Sequence, residues 1–413
     1  MKPGTWFTSD TIKITISLVL LTNVLSIVYF FTSESSPGDR VMEPSERLSR
    51  GERFVSSSTE DRVIHIVKEK SFDWHEHEFH TGFDECPHFR NCRVQTHYIT
   101  NQSVPLSIPH KGDAVVFTVQ AANLQRDPSW WTRAADKRSK DLAWVLFSQR
   151  NPYEFPLSFM TFRNYGFNFT MTYKPNSDIF TPFNFWLSEG NPSPRMVRKN
   201  FAQGKTRKVL WLIDGPCHSI NNRMKYAKDL SQNIALDIIG HCYDQSGKVH
   251  QVDHSTHNNE GRRGVISDYK FVLAFEEISC RDYVTTTYFD VAQMQSVIPI
   301  VMGAQKEAYE ILGPLDSFIH IDDFKGPQEL ANYLHELDLN DHNYNQFFRF
   351  VDTGEFQFPI TTMCRLCDHI NYFKESGYQQ FYTKDQFEEF WTSDDCNLNS
   401  LFLGDDSSGN SVP

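Results

Sequence analysis

The clearest pattern of apolar and polar positions lies in residues 268–303, where two apolar runs flank a charged turn and an amphipathic stretch. Residues 269–275 read as a buried strand, and residues 297–301 form a largely β-branched run that is followed by Gly303. Between the two runs, Asp282 stands where a helix N-cap is expected. The pattern predicts a βαβ unit.

Ligands of such units gather at the carboxyl ends of the strands and at helix N-termini, where free backbone N–H groups favour negative charge. Glu276, Glu277, Arg281 and Asp282 all fall in this crevice. They are therefore the first candidates for a binding site.

The same alternation of strands and helices extends over residues 207–324 and predicts a parallel sheet. Residues 63–201 contain further β-rich runs, at 114–119 and 143–147, between polar loops. Prolines and glycines interrupt the pattern over residues 190–205, which predicts a boundary between two domains there. Residues 326–350 read as helical, with one apolar face formed by Leu330, Tyr333, Leu334 and Leu337.

Residues 14–31 carry no charged side chain and are just long enough to span a bilayer. We interpret them as a signal anchor; a cleaved signal peptide is the alternative, but no Ala-x-Ala-like site follows the run. From Ser33 onward the chain is polar and rich in Ser, Glu, Arg and Pro, which predicts a flexible stem. The roughly 350 residues that remain are enough for two domains.

The formal net charge of −12 argues against a nucleic-acid partner, because phosphates demand a basic face. Asn101 and Asn168 begin glycosylation sequons, which indicate a lumenal chain. Eight cysteines in an oxidising compartment favour disulfides. A zinc site through Cys364 and Cys367 is the competing reading, and sequence alone does not assign the pairing.

The segment around residues 268–324 resembles the α1,3-fucosyltransferase family, whose members read close to Phe-x-Leu-x-Phe-Glu-Asn, then Asp-Tyr-Ile/Val-Thr-Glu-Lys, then Val-Pro-x-Val-x-Gly. The chain departs from this motif at three positions: Glu277 replaces the Asn, and Thr286 and Thr287 replace the Glu-Lys pair. The positions in register are Phe271, Leu273, Phe275, Glu276, Asp282, Tyr283, Val284, Thr285, Pro299, Val301 and Gly303.

The resemblance implies an α/β protein of GT-B architecture, with two Rossmann-like parallel-sheet domains facing a cleft, preceded by one transmembrane helix and a stem. It implies a type II single-pass protein of the Golgi membrane that transfers fucose from GDP-fucose, with inversion and in α1,3 linkage, to GlcNAc of glycoprotein N-glycans. Dependence on a divalent cation stays open. The expected segments are 1–13 (cytoplasmic tail), 14–31 (anchor), 32–62 (stem), 63–203 (acceptor-side domain), 204–360 (GDP-fucose-binding domain) and 361–413 (C-terminal extension).

The resemblance also implies that Cys86 and Cys92 pair with Cys364 and Cys367. It places a phosphate-binding arginine at Arg223, although an exposed helix charge is the plainer reading of that residue. The family's phosphate-binding lysine falls on Thr287, so Arg281 or Lys270 would have to substitute in part. The expected donor-binding set is Arg223, Glu276, Glu277, Arg281, Asp282, Tyr283, Thr286 and Thr287.

The catalytic base of the family is a glutamate that falls on Arg150, which stays protonated and cannot accept a proton. Glu154 is the candidate replacement, and Glu276 is the catalytic carboxylate expected on the donor side; a buried ion pair with Arg281 is the alternative role for Glu276. Tyr283 is expected either in the core or stacked on a sugar. These substitutions leave a second hypothesis open, that of a catalytically impaired relative that binds nucleotide sugar or glycan without efficient turnover.

Overall fold

The fold is described from a computed structural model of the chain. The structure describes residues 61–69, 91–99, 112–119, 128–156, 166–188, 199–216, 219–243, 249–251, 264–357, 360–377 and 381–396. The segments 1–13 and 14–31, nearly all of the stem, and the predicted glycosylation site Asn101 lie outside these residues. Within the described part of the chain, none of the helices combines the length and the apolar character that crossing a bilayer requires.

The first half of the chain forms a parallel sheet of six strands in the order β2-β1-β3-β4-β5-β6. Its central strands are buried along their whole length and apolar except for their last residues, Thr118 and Ser148, as expected for a sheet covered on both faces. Helix α1 (Pro128–Lys137) connects β3 to β4. The strands are β1 (Arg62–Glu69), β2 (Cys92–Ile99), β3 (Ala114–Thr118), β4 (Ala143–Ser148), β5 (Phe169–Thr172) and β6 (Ile179–Phe180).

A second sheet of six strands follows, after β7 (Phe185–Ser188), in the order β10-β9-β8-β11-β12-β13. All neighbours in it are parallel except β10, which runs antiparallel to β9. The strands are β8 (Arg207–Pro216), β9 (Leu236–Tyr243), β10 (Val249–Gln251), β11 (Tyr269–Phe275), β12 (Ile298–Met302) and β13 (Ile319–His320). The predicted α/β class with parallel sheets is confirmed, whereas the predicted domain bounds stay predictions.

Among the helices of this half are α2 (Arg223–Ser231), α3 (Thr286–Ala292), α4 (Lys306–Leu312), α5 (Pro327–Leu339) and α6 (Asp341–Gln346). Leu330, Leu334 and Leu337 of α5 are buried in the core of the second sheet, as their spacing predicts. The prediction that Asp282 caps α3 is wrong. Asp282 adopts a left-handed conformation, and the cap is Thr285, whose hydroxyl accepts a hydrogen bond from the Thr287 N–H group.

The C-terminal part of the chain returns to the first sheet. After β14 (Gly354–Gln357), which pairs with β7, helix α7 (Ile360–Ser376) covers one face of the first sheet with Leu366, Ile370 and Phe373. Helix α8 (Lys384–Phe390) joins the core on the other face, together with Trp391. The described part of the expected C-terminal extension is thus a structural layer of the first sheet.

Two disulfides are described. Cys92 bonds to Cys367, as the resemblance implies, and Cys364 is disulfide-bonded as well. Cys86, the other early cysteine that the resemblance implies is paired with this Cys-x-x-Cys segment, lies outside the described residues. The second described bridge joins Cys280 to Cys396, a pairing that the sequence did not indicate. Because both cysteines of the Cys364-x-x-Cys367 pair are disulfide-bonded, the zinc reading is wrong.

Candidate functional site

The carboxyl end of β11 carries two consecutive glutamates with different surroundings. Glu276 is buried, and both of its carboxylate oxygens accept hydrogen bonds from Thr285: Oε1 from the backbone N–H at 2.8 Å and Oε2 from the hydroxyl at 2.7 Å. Burial raises the pKa of Glu276 to about 7, although the Thr285 hydrogen bonds and Arg223 oppose the rise. Glu277 is half exposed.

A cavity of about 390 Å³ lies beside these residues, between β8, β11 and α3. Apolar side chains of the two strands, among them Trp211, form much of its wall. The polar residues that line it are Arg223, Glu277, Thr286, Thr287, Asp290 and Gln293. A partly open cavity of this size with a few converging polar groups is typical of a small-molecule site.

Among the described residues that line the cavity, Arg223 is a positively charged side chain. It begins α2 and is buried, contrary to the reading as an exposed helix charge. Its guanidinium donates to the Phe275 carbonyl at 3.0 Å, forms an ion pair with Glu277 at 3.4 Å, and lies over the Trp211 ring at 5.7 Å from the centroid. These contacts fix a positive charge at the strand ends, where an anionic ligand group would be favoured.

The loop after β4 brings Arg150 and Glu154 to the same region from the first sheet. The two side chains form a partly exposed ion pair at 3.8 Å. Burial raises the pKa of Glu154, Arg150 lowers it, and the nearby Glu277 carboxylate raises it further. Glu154 of the first sheet therefore lies near enough to Glu277 of the second for their charges to interact.

Tyr283 connects the two halves. Its ring is buried, meets Tyr173 edge-on with centroids 4.9 Å apart, and meets Phe183 at 6.0 Å. Ile278 and Cys280, from the same loop, lie in the core that covers the first sheet. Of the two expected roles of Tyr283, the structure shows the core position.

Arg281 and Asp282 point to other partners. Arg281 forms an ion pair with Asp395 at 3.5 Å, so the alternative in which it pairs with Glu276 is wrong. Asp395 also pairs with the buried Lys174 at 2.6 Å. Asp282 exchanges hydrogen bonds with the Gln305 side chain. Both predicted donor ligands thus take part in the contacts that fasten the loop after β11.

Two further sequence-based expectations need correction. Lys270 cannot supply a phosphate-binding charge, because it lies near the amino end of β11 and pairs with Asp338 at 3.1 Å. Asn168 is buried, and its side-chain oxygen accepts a hydrogen bond from the backbone N–H group of Trp144 at 2.8 Å. The folded protein therefore has no room for a glycan at Asn168, contrary to the prediction from its sequon.

Sequence reasoning missed several residues of the site. Thr285 was noted only as part of a motif, and Asp290 and Gln293 were not singled out at all. Asp290 lies four and three residues after Thr286 and Thr287, and Gln293 lies three residues after Asp290, a spacing that places them on the same helix face. No group of three or more His, Cys, Asp or Glu side chains suited to a metal ion occurs among the residues the structure describes.

Parallel strands with a polar cavity at their carboxyl ends place the protein among α/β proteins that bind small ligands at such edges. Two family models cover most of the chain: "Fucosyltransferase, N-terminal" matches residues 59–184, and "Glycosyltransferase family 10 (fucosyltransferase) C-term" matches residues 202–385. The chain belongs to the fucosyltransferases of glycosyltransferase family 10. The resemblance drawn from the sequence motif is confirmed.

Curated relatives include glycoprotein 3-alpha-L-fucosyltransferase A of Drosophila melanogaster, 35% identical over 54% of this chain and 43% of its own length. Two Homo sapiens relatives are each 32% identical. One is the 4-galactosyl-N-acetylglucosaminide 3-alpha-L-fucosyltransferase FUT6, whose match covers 59% of this chain and 63% of its own length. The other is the 3-galactosyl-N-acetylglucosaminide 4-alpha-L-fucosyltransferase FUT3, whose match covers 52% of this chain and 55% of its own length. The matches thus span about half of these relatives.

Among solved structures, an alpha1,3-fucosyltransferase with GDP-fucose matches with a TM-score of 0.47 and 14% identity, over 76% of this chain and 92% of that one.

Proposed function

We propose that the protein transfers fucose from GDP-fucose, in α1,3 linkage and with inversion, to GlcNAc of glycans on glycoproteins. The observation that carries the proposal is a cavity on the second sheet with the buried Arg223 guanidinium on its wall, near a carboxylate of the first sheet. Arg223 and Glu277 lie on the cavity wall, and Glu154 lies close enough to Glu277 for their charges to interact.

On the donor side, Arg223 would neutralise charge on the diphosphate as it leaves. The buried guanidinium is held by the Phe275 carbonyl and needs little reorganisation to bind an anion. The hydroxyls of Thr286 and Thr287 can donate hydrogen bonds to phosphate or ribose oxygens from the same wall. Neutral hydroxyls replace the family's Glu-Lys pair here, so Arg223 would carry most of the electrostatic stabilisation.

On the acceptor side, Glu154 would be the general base. Transfer forms a bond between the acceptor oxygen and fucose C1, breaks the bond from C1 to the phosphate oxygen, and sends that electron pair out with GDP. The acceptor hydroxyl must lose its proton, and an ionised Glu154 can take it. Its raised pKa brings the carboxylate closer to the working pH, which suits a base.

The wider setting follows from the same proposal. The two sheets would form a GT-B enzyme with its cleft between them, and residues 14–31 would anchor it in the Golgi membrane with the described residues in the lumen. The relatives are named for both 3-alpha and 4-alpha transfer. We choose α1,3 because the sequence motif resembles that family.

The test uses the purified full chain, labelled GDP-fucose and GlcNAc-containing N-glycans, with the product linkage read by NMR. The wild type should transfer fucose. Glu154→Gln should lower kcat by about 100-fold or more while leaving the Kd for GDP within a factor of two. Glu336→Gln is the matched control: Glu336 is exposed on α5 and should have no effect. GDP binding without any transfer would instead support the impaired relative.

A further inference from the structure

The buried carboxylate of Glu276 is committed to protein contacts rather than to the cavity. The described lining of the cavity includes Glu277 and the first two residues of α3, Thr286 and Thr287, but not Glu276. Both of its oxygens are occupied by Thr285 donors. A donor ligand could reach this carboxylate only by displacing those hydrogen bonds.

Thr285 connects Glu276 to the wall. Its hydroxyl donates to Glu276 Oε2 and accepts from the Thr287 N–H group at 3.2 Å, which makes Thr285 the N-cap of α3. A hydroxyl has one proton and two lone pairs, so it can serve both contacts at once. The first two residues of α3, Thr286 and Thr287, line the cavity. Two hydrogen bonds, both made by the Thr285 hydroxyl, thus connect the Glu276 carboxylate to Thr287 on the cavity wall.

The position of Glu276 is set from several sides. Its backbone N–H donates to the Met302 carbonyl at 2.9 Å, and its own carbonyl accepts from Asn221 Nδ2 at 2.9 Å. Gly303 has a φ of 145°, and a Cβ there would lie 2.6 Å from both Glu276 Cβ and Cγ. Only glycine leaves room for the carboxylate to reach Thr285.

The charged and titratable groups that face Glu276 come from three elements. Arg223 of α2 favours the ionised form, and Glu277 of the same loop opposes it. The phenols of Tyr283 and Tyr309 also feel the Glu276 charge; each has its pKa raised, chiefly by burial, and stays neutral near pH 7. Glu276 can therefore exchange its proton near neutral pH without a compensating change in these neighbours.

We propose that Glu276 is a positioning residue that acts through Thr285: its ionised carboxylate holds the start of α3, and thereby the donor-side wall made by Thr286 and Thr287. The proposal rests on the proposed function for the identity of the ligand, a nucleoside diphosphate sugar. It assigns Glu276 a different role from the catalytic one that the sequence suggested.

Protonation of Glu276 weakens this arrangement. A hydrogen bond to an ionised carboxylate is about twice as strong as one between neutral groups. A protonated carboxyl also carries its own O–H, which competes for the Thr285 oxygen. The Thr285 hydroxyl must then turn, and Thr287 Oγ1, 3.1 Å away, is the available acceptor. Acidification through about pH 7 should therefore loosen the start of α3 and weaken donor binding.

The first experiment measures GDP binding by calorimetry at pH 5.5 and 8.5 for the full-length wild type and for Glu276→Gln. At pH 8.5 the variant should bind about tenfold more weakly, because it lacks the charge-assisted hydrogen bonds. At pH 5.5 the two proteins should agree within about twofold, since wild-type Glu276 is then protonated as well. Titration of the nucleotide itself is common to both proteins and cancels in their ratio.

Thr285 variants separate this role from simple helix capping. Thr285→Val should reproduce the loss seen in Glu276→Gln at pH 8.5, and Thr285→Ser, which keeps the hydroxyl, should restore binding. Thr383→Val is the matched control, because Thr383 is the N-cap of α8, a helix that has seven residues like α3. This control should lower the thermal stability without changing the pH dependence of GDP binding.

Hydrogen exchange gives a readout that needs no nucleotide. At pH 8.5, peptides covering α3 should exchange several-fold faster in Glu276→Gln and Thr285→Val than in the wild type. At pH 5.5, Glu276→Gln should exchange like the wild type, whereas Thr285→Val, which lacks the N-cap hydroxyl at any pH, should stay faster. A wild type that binds no GDP would refute the proposed function. The hydrogen-exchange comparison would then still test the positioning role of Glu276, because it needs no nucleotide. Equal exchange in all variants would overturn the inference, and so would a collapse of kcat in Glu276→Gln with an unchanged Kd.

Discussion

At the scale of single residues, Arg223 is the side chain on which donor binding should depend most. It is buried on the cavity wall and held by the Phe275 carbonyl and Glu277. We expect Arg223→Ala to raise the Kd for GDP by about 10- to 100-fold, because a charge-assisted contact contributes about 1.5–3 kcal/mol. Calorimetry at constant ionic strength is the measurement.

Lys225→Ala is the control for Arg223, since Lys225 is exposed on the same helix and should leave the Kd unchanged. A wild-type Kd in Arg223→Ala would remove this residue from the donor site. Thermal unfolding should accompany both measurements, because Arg223 also holds β11 to α2 and its loss would lower stability as well.

The residues of the site were only partly predictable from the sequence. The apolar runs show where parallel strands end and so located Glu276 and Glu277, whereas Arg223 came from the family resemblance. The runs did not show that Glu276 turns to Thr285 while Glu277 faces the cavity. The direction of a side chain depends on packing such as the close approach of Gly303, and periodicity carries no information about that contact.

At the scale of elements, α5 is an amphipathic helix whose stability derives from burial of one face. Leu334 is fully buried against the second sheet, whereas Leu339, on the same helix, is 87% exposed. We expect Leu334→Ala to lower the free energy of unfolding by about 2–5 kcal/mol, through lost apolar burial and the cavity left behind. Chemical denaturation would measure it.

Leu339→Ala makes the same chemical change on the same helix and should alter the free energy of unfolding by less than about 0.5 kcal/mol. Equal effects of the two substitutions would contradict the packing of α5 described above. The apolar face of this helix was predictable, because its period is that of an α-helix. The break at Asn340, where α5 ends and α6 begins, was not.

At the scale of the whole molecule, the Cys280–Cys396 bridge ties the loop after β11 to the segment that follows α8. We expect Cys396→Ser to lower the free energy of unfolding by about 2–4 kcal/mol, since the bridge spans 116 residues and restricts the unfolded chain. Because the loop also carries Glu276 and Glu277, GDP binding should weaken in parallel. Thermal unfolding and calorimetry would report the two effects.

The double variant Cys280→Ser with Cys396→Ser should match the single variant, because either change removes the same bond. Stability and binding equal to the wild type in both would mean that Lys174, Arg281 and Asp395 fasten the loop without the bridge. The Cys280–Cys396 pairing could not be predicted from the sequence, since eight cysteines allow many pairings and their spacing does not distinguish among them.

The return of the chain end to the first sheet bears on how the protein is made. Cys92 cannot form its disulfide until Cys367, 275 residues later in the chain, has been synthesised. At about 5–20 residues per second, that delay is tens of seconds. During this interval one face of the first sheet lacks the cover that Leu366, Ile370 and Phe373 provide. Nascent chains stopped before residue 360 should therefore bind chaperones, whereas chains released after residue 396 should not.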